Sequence, residues 1–411
     1  MKQFALLAVM TALVMGSFSC ESLNEEEENN NVCRKMELTT KSAAFAQQGN
    51  TFAFDFISRV NAKTEGDFII SPLSMQFLLG MLLDGAQGQT ADEICQVLGY
   101  GAGEADEVNA FCLSMLQQLP KLDKNTTLSL ANAIVVNKQY ALLANYQSTV
   151  SKFYEAEVSN HDFSDATGTA RQINQWCSQK TNGLIPKVLD DVNPNALAYL
   201  MNALYFKSKW QTQFSGNNTA KENFTREDGS MAPVQMMKNK TQFSYGENET
   251  LRAVRLPYGN GAFSMTVVMP SEGKKLSDVI GSLSGSTWQT FNGNMRECNV
   301  DLWLPRFETK FHIEVNDILS AMGMPSSFNV GKADFTAMSN HALCLSLVQQ
   351  DAVIKVDEEG AEAAAVSMAE MRATYAPSFG EVVFHADRPF LYLITETSTG
   401  VILFAGKYSG K

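Results

Sequence analysis

Histidine is scarce in this chain, with only His161, His312, His341 and His385 among 411 residues. No two of them stand at metal-ligand spacing. Also missing are G-x-S-x-G, H-E-x-x-H, G-x-x-x-x-G-K-[ST], and any G-x-G-x-x-G that follows a strand. The sequence therefore offers no nucleophile elbow, zinc-peptidase helix, phosphate loop or dinucleotide turn. Nothing in it asks for an enzyme, a metal or a cofactor. A surplus of positive charge is lacking as well: 32 Lys and Arg face 44 Asp and Glu, for a formal charge of −12. Binding to nucleic acid draws on Lys and Arg that release phosphate counterions, so that class is set aside. The seven cysteines form no C-x-x-C pair, which removes the common zinc and redox motifs. Cys33, Cys95, Cys112, Cys177, Cys298 and Cys344 are expected to act mostly as small buried hydrophobes. Charged residues make up only 18% against 45% hydrophobic, so the chain can bury a large core and is not a disordered one.

The first residues form an export signal. Lys2 is followed by an apolar stretch from Phe4 to Phe18, too short to span a bilayer comfortably. Ser17-Phe18-Ser19-Cys20 resembles a bacterial lipobox, with Ser where Leu is usual three residues before the cysteine. Residues 1–19 are thus expected to be a lipoprotein-type signal peptide, with Cys20 lipidated. Residues 20–48, with Glu25 to Glu28 and Asn29 to Asn31, are expected to be an acidic flexible tether. Acidic residues just after the cysteine resemble the surface-export signal of some bacterial lipoproteins. The expected location is the cell surface or outer membrane, reached through the lipid alone, or the extracellular space if Cys20 is unmodified.

Residues 49–411 read as one domain. Phe52, Phe56 and Val60 fall on one helix face. Ser71-Pro72 opens a helix from Leu73 to Leu83, and Gly85 and Gly88 stop it. Thr90 and Glu93 look like a capping box before Ile94 to Leu98. Later segments read as strands: Leu251 to Leu256 and Ala262 to Met269 form a hairpin about a turn from Pro257 to Gly261. Asn299 to Leu304 alternates, and Phe390 to Thr395 pairs with Gly400 to Ala405. Helices first and strands later predict an α+β fold.

The segment from Glu358 to Ala376 is rich in Ala, Glu and Met, as a helix would be. Its parity supports a second reading. Positions 361, 363, 365, 367, 369 and 371 are Ala, Ala, Ala, Ser, Ala and Met, whereas Glu362, Glu370 and Arg372 all fall on the other set. Side chains alternate along a strand, so the segment could enter a sheet with its small uncharged face inward. Val353 to Val356 before it is strand-like, and Gly360 supplies a hinge.

At this segment a family resemblance becomes specific. Glu358-Glu359-Gly360-Ala361-Glu362-Ala363-Ala364-Ala365 resembles the reactive-loop hinge of inhibitory serpins, and Phe384-His385-Ala386-Asp387-Arg388-Pro389-Phe390 their C-terminal signature. Phe68 to Ser74, Leu83 to Thr90, Ile173 to Trp176, Asn202 to Lys207 with Trp210, and Ala333 to Phe335 are similar to further family motifs, in order and at family spacing. The resemblance implies N-terminal helices packed on three β-sheets, with an exposed reactive-centre loop at about 358–380. It implies a monomeric suicide substrate of serine-type endopeptidases, and of papain-like cysteine proteases too, that traps the acyl-enzyme by loop insertion. A non-inhibitory binding or carrier serpin is the alternative. The cleaved bond is expected after Thr374, between Thr374 and Tyr375. Counting back from Pro389 instead lands at Tyr375-Ala376, and Met371 and Arg372 are close enough to serve other proteases. Ser71, Ser74, Asn202, Trp210 and Gln350 correspond to the family's shutter and breach. Gln350 stands where many serpins carry His, and an amide still donates and accepts.

Overall fold

The computed structural model of the chain describes residues 31–361 and 381–411. Cys20, Glu362 to Ala365, Met371, Arg372, Thr374 and Tyr375 lie outside the described residues. Val32–Lys411 forms one compact unit.

In chain order its helices are α1 (Thr40–Lys63), α2 (Pro72–Gly85), α3 (Gly88–Leu98), α4 (Ala105–Gln118), α5 (Ala144–Phe153), α6 (Ala166–Lys180), α7 (Leu276–Ser282), α8 (Gly285–Gly293) and α9 (Asn316–Met322). The strands are β1 (Phe68–Ile70), β2 (Thr127–Asn137), β3 (Glu157–His161), β4 (Ala198–Lys209), β5 (Ala220–Thr225), β6 (Met231–Glu247), β7 (Leu251–Tyr258) and β8 (Phe263–Pro270). They continue with β9 (Arg296–Pro305), β10 (Phe307–Glu314), β11 (Gln349–Val356), β12 (Gly360–Ala361), β13 (Val382–His385), β14 (Phe390–Glu396) and β15 (Ile402–Tyr408).

The α+β fold thus takes the expected form, early helices packed on sheets. Two of the three expected sheets are continuous with each other through β6. Its Ser244–Glu247 end pairs with β7 while Met236–Tyr245 pairs with β9, which joins β1-β15-β14-β8-β7 to β6-β9-β13. The other sheet has the order β10-β11-β12-β4-β2-β3.

Local chemistry explains the elements. Helix α2 starts where Ser71 Oγ accepts the Ser74 N–H at 3.1 Å with Pro72 in the first turn, an N-cap followed by a residue whose missing N–H costs nothing there. Every α2 residue except Asp84 is buried, because the helix packs on β4 and β15 and is surrounded by α1, α4 and α5. Strands β8, β14 and β15 are buried at every position, so the hydrophobic runs read in the sequence are covered on both faces.

Three boundaries differ from expectation. The folded unit does not start at residue 49. Helix α1 begins at Thr40, capped by Thr39 Oγ1 accepting the Ser42 N–H at 3.0 Å, and Phe45 and Ala46 are core residues. Met36 is buried ahead of it, so the stretch free to act as a tether is shorter than 20–48. Thr90 and Glu93 form no capping box, since α3 already begins at Gly88. Tertiary partners take both side chains: Thr90 Oγ1 accepts from the Asp334 N–H at 3.0 Å, and the Glu93 carboxylate accepts from Ser326 N–H and Oγ. In the β7–β8 hairpin, Pro257 and Tyr258 continue the strand, and the turn is made by Gly259 and Gly261 at φ 47° and 91°. All six described cysteines are free; Cys95, Cys112 and Cys177 are buried, and Cys33 is exposed.

Candidate functional site: a seam between two parallel strands

Both β4 and β11 run antiparallel to β12, so they are parallel to each other. Among the described residues no ladder joins them directly. The two-residue β12 stands between them, with Ala361 opposite Val356 on one side and Gly360 and Ala361 opposite Lys209 and Ser208 on the other. Beyond β12 the seam is an open groove. Leu200, Asn202 and Leu204 line one wall, Gln350 and Ala352 the other, and Phe404 the floor. Helix α6 and the residues after it cross the opposite face of β4. Ile173 and Ala170 pack there with Tyr199 and Met201, and Gln349 Nε2 donates to the Val188 carbonyl at 2.9 Å.

One polar network sits midway along the groove. Gln350 Nε2 donates to the Ser71 carbonyl at 2.8 Å, and Gln350 Oε1 accepts the Ser71 N–H at 2.9 Å. Ser71 Oγ donates to the Leu403 carbonyl at 2.7 Å. Ser74 Oγ bonds Asn202 Oδ1, and Asn202 Nδ2 donates to Asn132 Oδ1 at 2.7 Å. Ser71, Ser74, Asn132 and Gln350 are buried and Asn202 is half-buried, and because they satisfy one another they fix α2, β2, β4 and β11 in one arrangement. Ser71, Ser74, Asn202 and Gln350 were singled out in the sequence. Asn132 was not, although a lone Asn inside the apolar run Leu130 to Val136 is a signal of a buried polar contact.

A second network holds the mouth of the groove, where Trp210 was singled out. Its indole is 3% exposed, stacks on Tyr258 at 4.3 Å, and donates from Nε1 to the Asp357 carbonyl at 2.8 Å. The Trp210 and Phe214 N–H groups donate to the Glu359 and Glu358 carbonyls at 2.7 and 3.0 Å. At Gly360 a Cβ would overlap the Ser208 carbonyl oxygen and lie 2.7 Å from Lys209 Cα. Close backbone approach, more than turning freedom, therefore requires glycine there. Glu358 accepts from Arg306 at 2.6 Å and from Thr219 Oγ1 at 2.6 Å, partners that the sequence reading missed because they come from distant strand ends.

Burial alone would raise the Glu358 carboxyl, but the Arg306 and Thr219 hydrogen bonds outweigh it and hold the group below its ordinary range. An acid depressed on folding stabilises above its unfolded pKa and loses that contribution as pH falls through the folded one. Arg306→Ala is therefore expected to cost about 0.5–1 kcal/mol, given a guanidinium 48% exposed, at pH values above about 5. Urea unfolding of the two proteins should converge toward pH 3.

Three comparisons bear on this arrangement. The family model described as serpin (serine protease inhibitor) matches residues 47–410. Serpin B6 of Macaca fascicularis is 32% identical over 89% of this chain and 98% of its own length. The leukocyte elastase inhibitor of Xenopus laevis is 33% identical over 87% and 97%. Among solved structures, the thermophilic serpin tengpin in its native state superposes with a TM-score of 0.81 at 25% identity, covering 92% of this chain and 96% of that one. Thyroxine-binding globulin in complex with thyroxine superposes at 0.79 and 27% identity, covering 89% and 98%.

Proposed function

The chain belongs to the serpin (serine protease inhibitor) family, whose inhibitory members include the leukocyte elastase inhibitor, and we propose that it is an inhibitor of serine-type endopeptidases that works as a suicide substrate. The observation that carries this reading is β12. Gly360 and Ala361 are already seated as a strand between β4 and β11, at the mouth of a groove that no direct ladder closes among the described residues. Serpin loop insertion is an established case of strain released by proteolysis. Applied here, the protease serine attacks the carbonyl carbon of the scissile bond, forms an ester to the inhibitor, and releases the new amine end of the C-terminal piece. The residues after Ala361 then continue β12 along the groove and gain strand hydrogen bonds on both sides. At about 3.3 Å per residue, fourteen inserted residues carry the esterified protease on the order of 46 Å. Trapping succeeds if that transit outpaces hydrolysis of the ester.

The hinge Glu358 to Ala365 is read as the inserting segment, Thr374-Tyr375 as the cleaved bond, and Cys20 as a lipid anchor that holds the domain at the cell surface. The test mixes the domain with elastase, chymotrypsin, trypsin, subtilisin and a papain-like enzyme, followed by denaturing gels and mass spectrometry. The expected outcome is an SDS-stable adduct and a released peptide that begins at Tyr375. Cleavage by every protease without an adduct would overturn inhibition and leave a binding or carrier serpin.

A further inference from the structure

Strand β12 fixes the register of whatever continues it. Ala361 lies opposite Ser208 on β4 and Val356 on β11, so the next position falls opposite Lys207 on one wall and Lys355 on the other. Ala361, Ser208 and Val356 are buried. Side chains alternate along strands, so the next level faces outward, where Lys355 is exposed and Lys207 half-buried. The residue that follows Ala361 is Glu362.

We propose that Lys207 and Lys355 form a cation clamp at the lips of the groove, which receives Glu362 as the loop enters and commits the new strand to the register of β12. The inference deepens the loop-insertion reading and rests on it.

The neighbouring strands leave room for an anion at this level. Lys207 faces Thr127 on β2, and Lys355 faces Glu308 on β10. Glu308 contacts Lys310 at 2.9 Å, and Lys355 has no ion-pair partner among the described residues. With Glu362 seated, the row across the sheet becomes Thr127, Lys207, Glu362, Lys355 and Glu308, each charge beside its opposite. Deeper in the groove a charge is unwelcome. The level of position 364 is set by Tyr205 and Val353, and that of 368 by Met201 and Gln349, beneath Ile173 and Val188. The loop carries Ala364 and Met368 there. A slip of one residue would turn Glu362 to the buried inner face. A slip of two would set it between Tyr205 and Val353, or between Lys209 and Asp357. Only the register of β12 gives the carboxylate two cations.

The test compares the full domain with Lys207→Glu/Lys355→Glu, and with that pair carrying Glu362→Lys as well, against the protease that forms the adduct. An exposed ion pair is worth little, so reversal, which turns two attractions into two repulsions, is the informative change. At low salt the ratio of inhibitor cleaved without trapping to inhibitor trapped should rise about tenfold in the double variant. The triple variant should return to within about twofold of wild type. In about 1 M salt, where the screening length falls to about 3 Å, the double variant should differ from wild type by less than about threefold. If the double variant fails to fold, Lys355→Gln, at an exposed site, should raise the low-salt ratio about threefold. A ratio that ignores the reversal, or one that the triple variant does not restore, overturns the clamp. Heat unfolding separates that failure from failure of the reading beneath it. If the wild-type domain with its loop cut is no more stable than the uncut domain, and no protease leaves an adduct, loop insertion itself fails and the clamp with it.

Discussion

Ala361→Glu should turn the chain from a trap into a substrate, cleaved at its loop while the protease stays active. Ala361 is 2% exposed and sits between Val356 and Ser208, at the point where any strand entering the groove must begin. A carboxylate there is buried between Val356 and Ser208, at a cost of several kcal/mol. Trapping is a race between insertion and hydrolysis of the acyl ester, and each 1.4 kcal/mol added to the insertion barrier slows it tenfold. Ala361→Glu should expel β12 from the native sheet, so that insertion must bury the carboxylate anew, and a penalty of about 3 kcal/mol then slows insertion roughly a hundredfold, enough for hydrolysis to win. Titrating protease against inhibitor should show the number of inhibitor molecules consumed per protease rising at least tenfold. Ala361→Ser, small and uncharged, should leave it near the wild-type value. An unchanged ratio for Ala361→Glu would mean that entry past this point is not what arrests the protease.

That prediction was legible in part before the fold was known. Alternation of small and charged residues is a property of the segment alone, and so is a strand-like Val353 to Val356 ahead of a glycine. What the sequence could not supply was the reason Gly360 must lack a side chain, because the obstructing atoms belong to Ser208 and Lys209, more than 150 positions away. The same distinction explains the misreadings. Thr90 and Glu93 have the spacing of a local cap, yet Ser326 and Asp334 compete for them across the fold and win. The apolar spacing that marks the helix in the sequence begins only at Phe52, after Gly49 and Asn50. In the structure both are buried inside α1: Gly49 lies against Gln76, and Asn50 donates to the Gly400 carbonyl at 2.9 Å. Ser71 and Pro72 are legible as a helix start because the capping contact, Ser74 N–H to Ser71 Oγ, lies within one helical turn.

Gln350→Ala should weaken the native state while leaving the loop itself untouched. Ser71 is extended, with φ −115° and ψ 99°, so its own N–H and C=O point to the same side. The amide of Gln350 meets them side by side, at 2.9 and 2.8 Å. Alanine leaves the Ser71 N–H buried and unpaired, at about 1–3 kcal/mol, while the Ser71 carbonyl keeps the Met75 N–H at 3.2 Å. Urea unfolding should show the midpoint falling with little change in slope, as for a stability change without altered compactness. Gln350→His separates the amide's geometry from mere polarity. An imidazole carries its two nitrogens on diverging edges, so it can meet one of the two Ser71 groups from this position and not both. A neutral ring that accepts the Ser71 N–H should therefore restore most of the loss. The protonated ring has no acceptor left for an N–H, so the stability of this variant should also shift with pH near the ordinary His value of about 6.5. If Gln350→Ala unfolds at the wild-type midpoint, water must satisfy Ser71, and Gln350 is not what joins β11 to α2.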